Sequence, residues 1–193
     1  MGVIKTALEI AMERTEAVKS DKSSIEQFEA KQRGKKIANA FLAGEADIAN
    51  EIKKTDANQR ESLKQGIFDV LLSQIVLPSG KEDEKRIENV GKGLSAVINN
   101  NRFTAIYKQL TQLFSQYLQE AAHYEQAIRQ QYAPKLRQKE EEISRRIGRE
   151  VHLDPFQDPE FVTFYNQHVN TLKGNYQTLI DQAKEEAKRM FER

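Results

Sequence analysis

The chain has 193 residues, 38% of them hydrophobic and 31% charged, with 30 Lys and Arg against 29 Asp and Glu. That length suits one ordinary domain, or a compact part with an appendage. The even charge lacks the one-signed footprint expected of a protein that neutralises phosphates, and the absence of Cys removes disulfides, thiolate nucleophiles and sulfur-ligated zinc.

Few residues break the chain (9 Gly, 4 Pro), and its apolar residues recur at helical spacing. An all-α fold follows. A first helix is predicted over about residues 3–19, with Ile4, Leu8, Ala11, Thr15 and Val18 on one face. Lys5, Glu9, Glu13 and Arg14 interrupt the segment where a signal peptide needs an apolar core, and no run approaches a membrane span. A cytoplasmic location is therefore expected. Ser20 to Ser24 is polar, and Ser23 with Glu26, or Ser24 with Gln27, reads as a capping box opening a second helix toward Leu42. Ile25, Phe28, Ile37 and Phe41 are its expected buried residues, and Gly34 weakens its middle.

Residues 45–77 form either one helix or two, with Asp56 a candidate cap at the break. Pro78-Ser79-Gly80 is a turn. A helix over about residues 82–98 turns Ile87, Val90, Leu94, Val97 and Ile98 inward, and Asn99 to Asn101 is a break. From Phe103 the apolar residues step four, three, four, three: Phe103, Tyr107, Leu110, Phe114, Tyr117, Ala121, Tyr124, Ile128. The step returns as Tyr165, Val169, Leu172, Tyr176, Leu179 and Ala183, passes Glu186, and ends at Met190. A 3.5-residue period makes a continuous seam that must be buried, and the many rings suit a multi-helix core better than a two-stranded zipper. Pro134 should kink or briefly break the first of these helices. Residues 152–159 form a connector, where Asp158 at N-cap, Pro159 at N1 and Glu160 in the first turn start the last helix.

Candidate chemistry is sparse. Glu120-Ala121-Ala122-His123 matches the Glu-x-x-His element of di-iron bundles, but no second copy exists and the heptad phase puts His123 toward water. His152, Asp154 and Asp158 are conceivable metal ligands, although capping of a helix explains the acids more simply; His168 flanks the seam. Residues 129–149 lean basic, with Arg129, Lys135, Arg137, Lys139, Arg145, Arg146 and Arg149 against Glu140, Glu141 and Glu142. Those cations could meet phosphate, or pair within the helix as Glu141–Arg145 and Glu142–Arg146. None of the Gly-Lys pairs has phosphate-loop spacing. Met1-Gly2 with Thr6 fits a loose myristoylation pattern.

The opening Ile4 to Thr15 and the helix start Asp158-Pro159-Glu160-Phe161 resemble a group of bacterial helical proteins of unknown function. The resemblance covers those two segments, implies a bacterial cytoplasmic protein, and carries over no site residue. The sequence thus predicts an all-α, elongated multi-helix bundle. Residues 1–101 supply four to five shorter helices. Residues 102–193 supply a long helical hairpin, with a kink near residue 134 and the connector at 152–159. The expected function is non-enzymatic protein–protein interaction, as scaffold or adaptor, with a protein partner or a second copy. No catalytic, cofactor-binding or metal-binding residue is assigned. The alternatives are an anionic-surface or nucleic-acid binder through residues 129–149 and a metal-dependent bundle enzyme at Glu120 and His123.

Overall fold

The computed structural model describes the backbone over residues 7–192 and the side chains over residues 22–192. The predicted helix start at Val3, the Met1-Gly2 pattern and the side chains of Ile4, Leu8, Ala11, Thr15 and Val18 lie outside that description. Among the described residues the chain is all-α: α1 (Ala7–Leu42), α2 (Ile48–Lys54), α3 (Ala57–Ser73), α4 (Glu84–Ile98), α5 (Asn101–Ile147) and α6 (Pro159–Phe191). Two compact units result, one of residues 1–75 and 86–101, the other of residues 76–85 and 102–193.

Two expected interruptions are absent. Residues 20–24 continue α1 as helix, because Ser and Asp offer the backbone a competing bond without forbidding the helix as Pro would. Pro134 likewise sits inside α5 with no break in the assigned helix; its ring removes one N–H, and the flanking turns hold. Conversely, residues 45–77 divide. Asp47 caps α2 by accepting from the Asn50 amide at 3.0 Å, and Thr55 closes it in an extended conformation. Asp56 occupies the N-cap position of α3 without a side-chain bond.

In the first unit α1 and α3 pack backbone to backbone. A Cβ on Gly34 would lie 2.1 Å from the Leu63 carbonyl oxygen, and one on Gly66 would lie 2.0 Å from that of Lys31. The glycine that weakens α1 locally is thus what lets it meet α3, with Lys31 paired to Asp69 at 2.8 Å beside the contact. Ile37, Ala38, Leu63, Ile67, Leu71, Val90 and Leu94 fill the unit's buried interior. Ile25 and Phe28 do not join it. They are 58% and 63% exposed, contrary to the burial their apolar character predicts, and every residue from 22 to 29 is exposed.

In the second unit α5 and α6 run antiparallel. Tyr117 meets Tyr176 edge-on at 5.1 Å; fifteen residues along α5, Tyr132 meets Phe161, fifteen residues earlier on α6, at 5.2 Å. Glu186, the polar member of the second seam, pairs with Arg102 at 3.3 Å. The buried stripes drift from the heptad. On α5 Phe103, Tyr107, Leu110, Phe114 and Tyr117 are buried, Ala121 and Glu125 half-buried, Ile128 and Tyr132 buried. Those eight steps span 29 residues, about 3.6 per step, the pitch of a straight α-helix rather than a supercoil. On α6 the line likewise passes from Tyr176 to Ile180, which is fully buried. Tyr124 and Leu179, which the strict heptad places inward, are each 44% exposed.

Candidate functional site

The connector between α5 and α6 folds into a polar cluster of the second unit. α5 ends at Gly148, whose φ of +75° relieves the turn of a side-chain clash. Val151 N–H then donates to Ser144 Oγ at 3.0 Å and Leu153 N–H to Glu140 Oε1 at 2.8 Å, stitching the connector back along α5. Asp154 caps the short 3-10 turn Pro155–Gln157 through the Phe156 amide, and Asp158 caps α6 through the Glu160 amide at 3.1 Å. The sequence reading of Asp158-Pro159-Glu160 as a helix start therefore holds.

Asp158 does more than cap. It is buried, and Lys139 Nζ donates to both of its oxygens at 2.9 and 2.7 Å while the Tyr132 hydroxyl donates to Oδ2 at 2.8 Å. Lys139 also reaches Glu160 at 2.6 Å, and Lys135 reaches it at 3.0 Å. Burial pushes the Asp158 carboxyl upward, but Lys139, Tyr132 and the Glu160 amide outweigh it and hold the group below the usual carboxylate range. Hydrogen bonds from Lys139, then Lys135, lower Glu160. Bonds to Asp158 and Glu160 raise Lys139, and burial, then Asp158, raises Tyr132. Every charge in the cluster is matched, and each shift favours the form that makes the contact. Such a set clasps two helices together. An acid–base pair would need pKa values drawn toward neutrality, and these are drawn away from it.

Aromatic rings cover the cluster's apolar side. Phe156 meets Phe161 and Tyr165 edge-on at 5.2 Å each, and the Arg129 guanidinium lies 4.9 Å from the Phe156 ring centre. Further along the hairpin, Tyr117, Leu118, Ala121, Tyr165, Val169 and Leu172 line a groove of about 680 Å³ that residues 76–79 also border. Ala121 packs against a core cluster of Tyr117, Leu172 and Tyr176, and a second cluster gathers Ile128, Tyr132 and Phe161. Burial raises the Tyr117 and Tyr165 hydroxyls, so both remain protonated donors near neutral pH. Glu125, at the groove's edge, is held by Arg129 at 2.8 Å.

Most residues singled out from the sequence do not converge. Glu120 and His123 are both exposed on α5, and among the described residues no group of three or more His, Asp or Glu is placed to hold a metal ion. His152 is exposed and lies 3.6 Å from Glu150 and 3.9 Å from Glu140, while Asp154 and Asp158 serve as caps. His168 packs edge-on against Phe164 at 4.6 Å, the flanking role its position implied. In the basic segment Arg129, Lys135 and Lys139 engage carboxylates, and Arg145–Glu141 and Arg146–Glu142 pair at 3.7 and 3.8 Å. Sequence reasoning missed the Tyr132–Lys139–Asp158 clasp because its members lie 19 to 26 residues apart. No short-range spacing signals it.

No helix among the described residues is long and apolar enough to cross a membrane. No curated protein and no solved structure matches the chain. A family model described as a family of unknown function (DUF6657) matches residues 49–189. The match includes the Asp158 to Phe161 helix start on which the sequence resemblance partly rests and stops short of the Ile4 to Thr15 segment. It spans well over half of the 193 residues, and the chain belongs to that family.

Proposed function

We propose that the protein is a non-enzymatic helical interaction protein that docks another protein along α1. The observation that supports this is the run of residues 22–29, helical and exposed on every side, with Ile25 and Phe28 one turn apart and both more than half exposed. An isolated helical segment is marginal in water without a partner for its apolar side chains, and an amphipathic helix docks through apolar anchors spaced three or four residues apart, the spacing of Ile25 and Phe28. The absence of Cys and the resemblance described above support a bacterial, cytoplasmic setting. The reading as an anionic-surface binder through residues 129–149 draws less support, because most cations there already face a carboxylate.

The test is the double substitution Ile25→Ser, Phe28→Ser. Circular dichroism should change little, because neither side chain contributes to the buried interior. Light scattering and in-cell crosslinking should show that a specific partner, or a second copy, is lost from the variant. Native protein that is monomeric and crosslinks no partner, or a variant that crosslinks as the native chain does, would overturn the reading.

A further inference from the structure

At the break between α2 and α3, two arginines converge on one buried residue. Thr55, 6% exposed, gives its hydroxyl hydrogen to the Glu51 carbonyl at 2.8 Å. The same hydroxyl oxygen accepts from Arg33 Nη2 at 2.9 Å, and the Thr55 carbonyl accepts from Arg60 Nη2 at 3.1 Å. Both guanidinium groups therefore stand one hydrogen bond from the same threonine, one reaching from α1 and one from the first turn of α3.

Among the described residues neither arginine makes an ion pair: the Glu51 carboxylate is taken by Lys54 at 3.1 Å, and the nearby Asp69 by Lys31. Arg60 Nε is buried with no hydrogen-bond partner. A guanidinium presents five N–H donors, and each of these two spends one on Thr55. Arg33 is exposed and Arg60 half-buried, so an anion arriving from solvent could reach both guanidinium groups and would offset their mutual repulsion. Arg33 stands in the sequence Lys31-Gln32-Arg33-Gly34-Lys35-Lys36, of whose lysines Lys31 is paired with Asp69.

We propose that Arg33 and Arg60 form a binding site for a small phosphate-type oxyanion at the α2–α3 break. The planar forks of the two arginines grip the oxyanion in the bidentate manner that suits phosphate geometry. Thr55 acts as a positioning residue, holding both forks in place through its hydroxyl and carbonyl. This site is independent of the docking surface at Ile25 and Phe28.

Calorimetric titration of the full chain with inorganic pyrophosphate, against sodium chloride at matched ionic strength, tests the site. The native chain should bind with saturable stoichiometry near one, and its melting temperature should rise with pyrophosphate beyond the chloride control. Arg33→Gln and Arg60→Gln should each weaken binding by roughly tenfold or more, with Arg33→Lys intermediate because the charge survives and the fork does not. Lys36→Gln removes a neighbouring charge outside the site and should leave binding within about twofold. No saturable binding by the native chain overturns the proposal. Equal weakening in Lys36→Gln and Arg33→Gln would mean diffuse attraction and overturns it too. A variant that folds less stably is still read by the difference between its pyrophosphate and chloride melts.

Discussion

Asp158 holds two jobs that can be separated by substitution. Asn keeps a good N-cap and loses the charge facing Lys139, whereas Ala loses both. Asp158→Asn should cost about 1 kcal/mol and Asp158→Ala about 2 to 3 kcal/mol in denaturant unfolding, with Tyr132→Phe near 1 kcal/mol for its lost hydroxyl bond. The acid response follows from the same contacts. Asp158 and Glu160 are lowered, so their contribution is present above their unfolded values near pH 4 and is lost as the pH falls through the lowered folded values. Lys139 is raised, so its share is complete below its ordinary value and is lost only as the pH climbs through the raised one. The melting temperature should accordingly drop in acid, and Asp158→Asn should flatten that drop. The cap was legible in the sequence because capping is local. The clasp was not, since Lys139 joins Tyr132 at Asp158 only if α5 stays helical past Pro134.

Helix periodicity was legible in kind and wrong in detail. The four-three step found both long helices and most of their buried residues, because over four or five turns a 3.5 and a 3.6 period coincide. They part near the sixth step, and there Tyr124 and Leu179 fall outward. Leu179→Ala should therefore lie within about 1 kcal/mol of the native chain, whereas Ile180→Ala should cost about 2 to 5 kcal/mol, measured by chemical denaturation. The opposite order would restore the heptad. The same drift explains why Glu125, not Tyr124, stands half-buried on α5. At α1 the error ran the other way: Ser20 to Ser24 holds good capping residues, but a cap is used only where tertiary contacts stop the helix, and nothing local does so here.

The first unit draws residues from two stretches of the chain, and the family match begins only at residue 49. The matched range by itself therefore leaves out α1, against which Leu63, Gly66 and Ile67 of α3 are closed. A chain starting at residue 45 should bind a hydrophobic dye and lose a cooperative melt of the first unit; a sharp native-like transition would show that α1 is dispensable. That dependence could not be read from pattern, since Gly34 looks like a defect in α1 until Gly66 is placed opposite it.

The reciprocal glycines also decide how α1 can seat. With each backbone already where the other's first side-chain carbon would stand, Gly34→Ala and Gly66→Ala should each cost at least about 2 kcal/mol in denaturant unfolding. A slide of α1 by one residue either way would bring Arg33 or Lys35 into the gap now held by Gly34, and no rotamer of either would fit. The pair behaves as a detent: α1 can lift from α3, but while docked it cannot creep along it, and every residue of α1 keeps a fixed address.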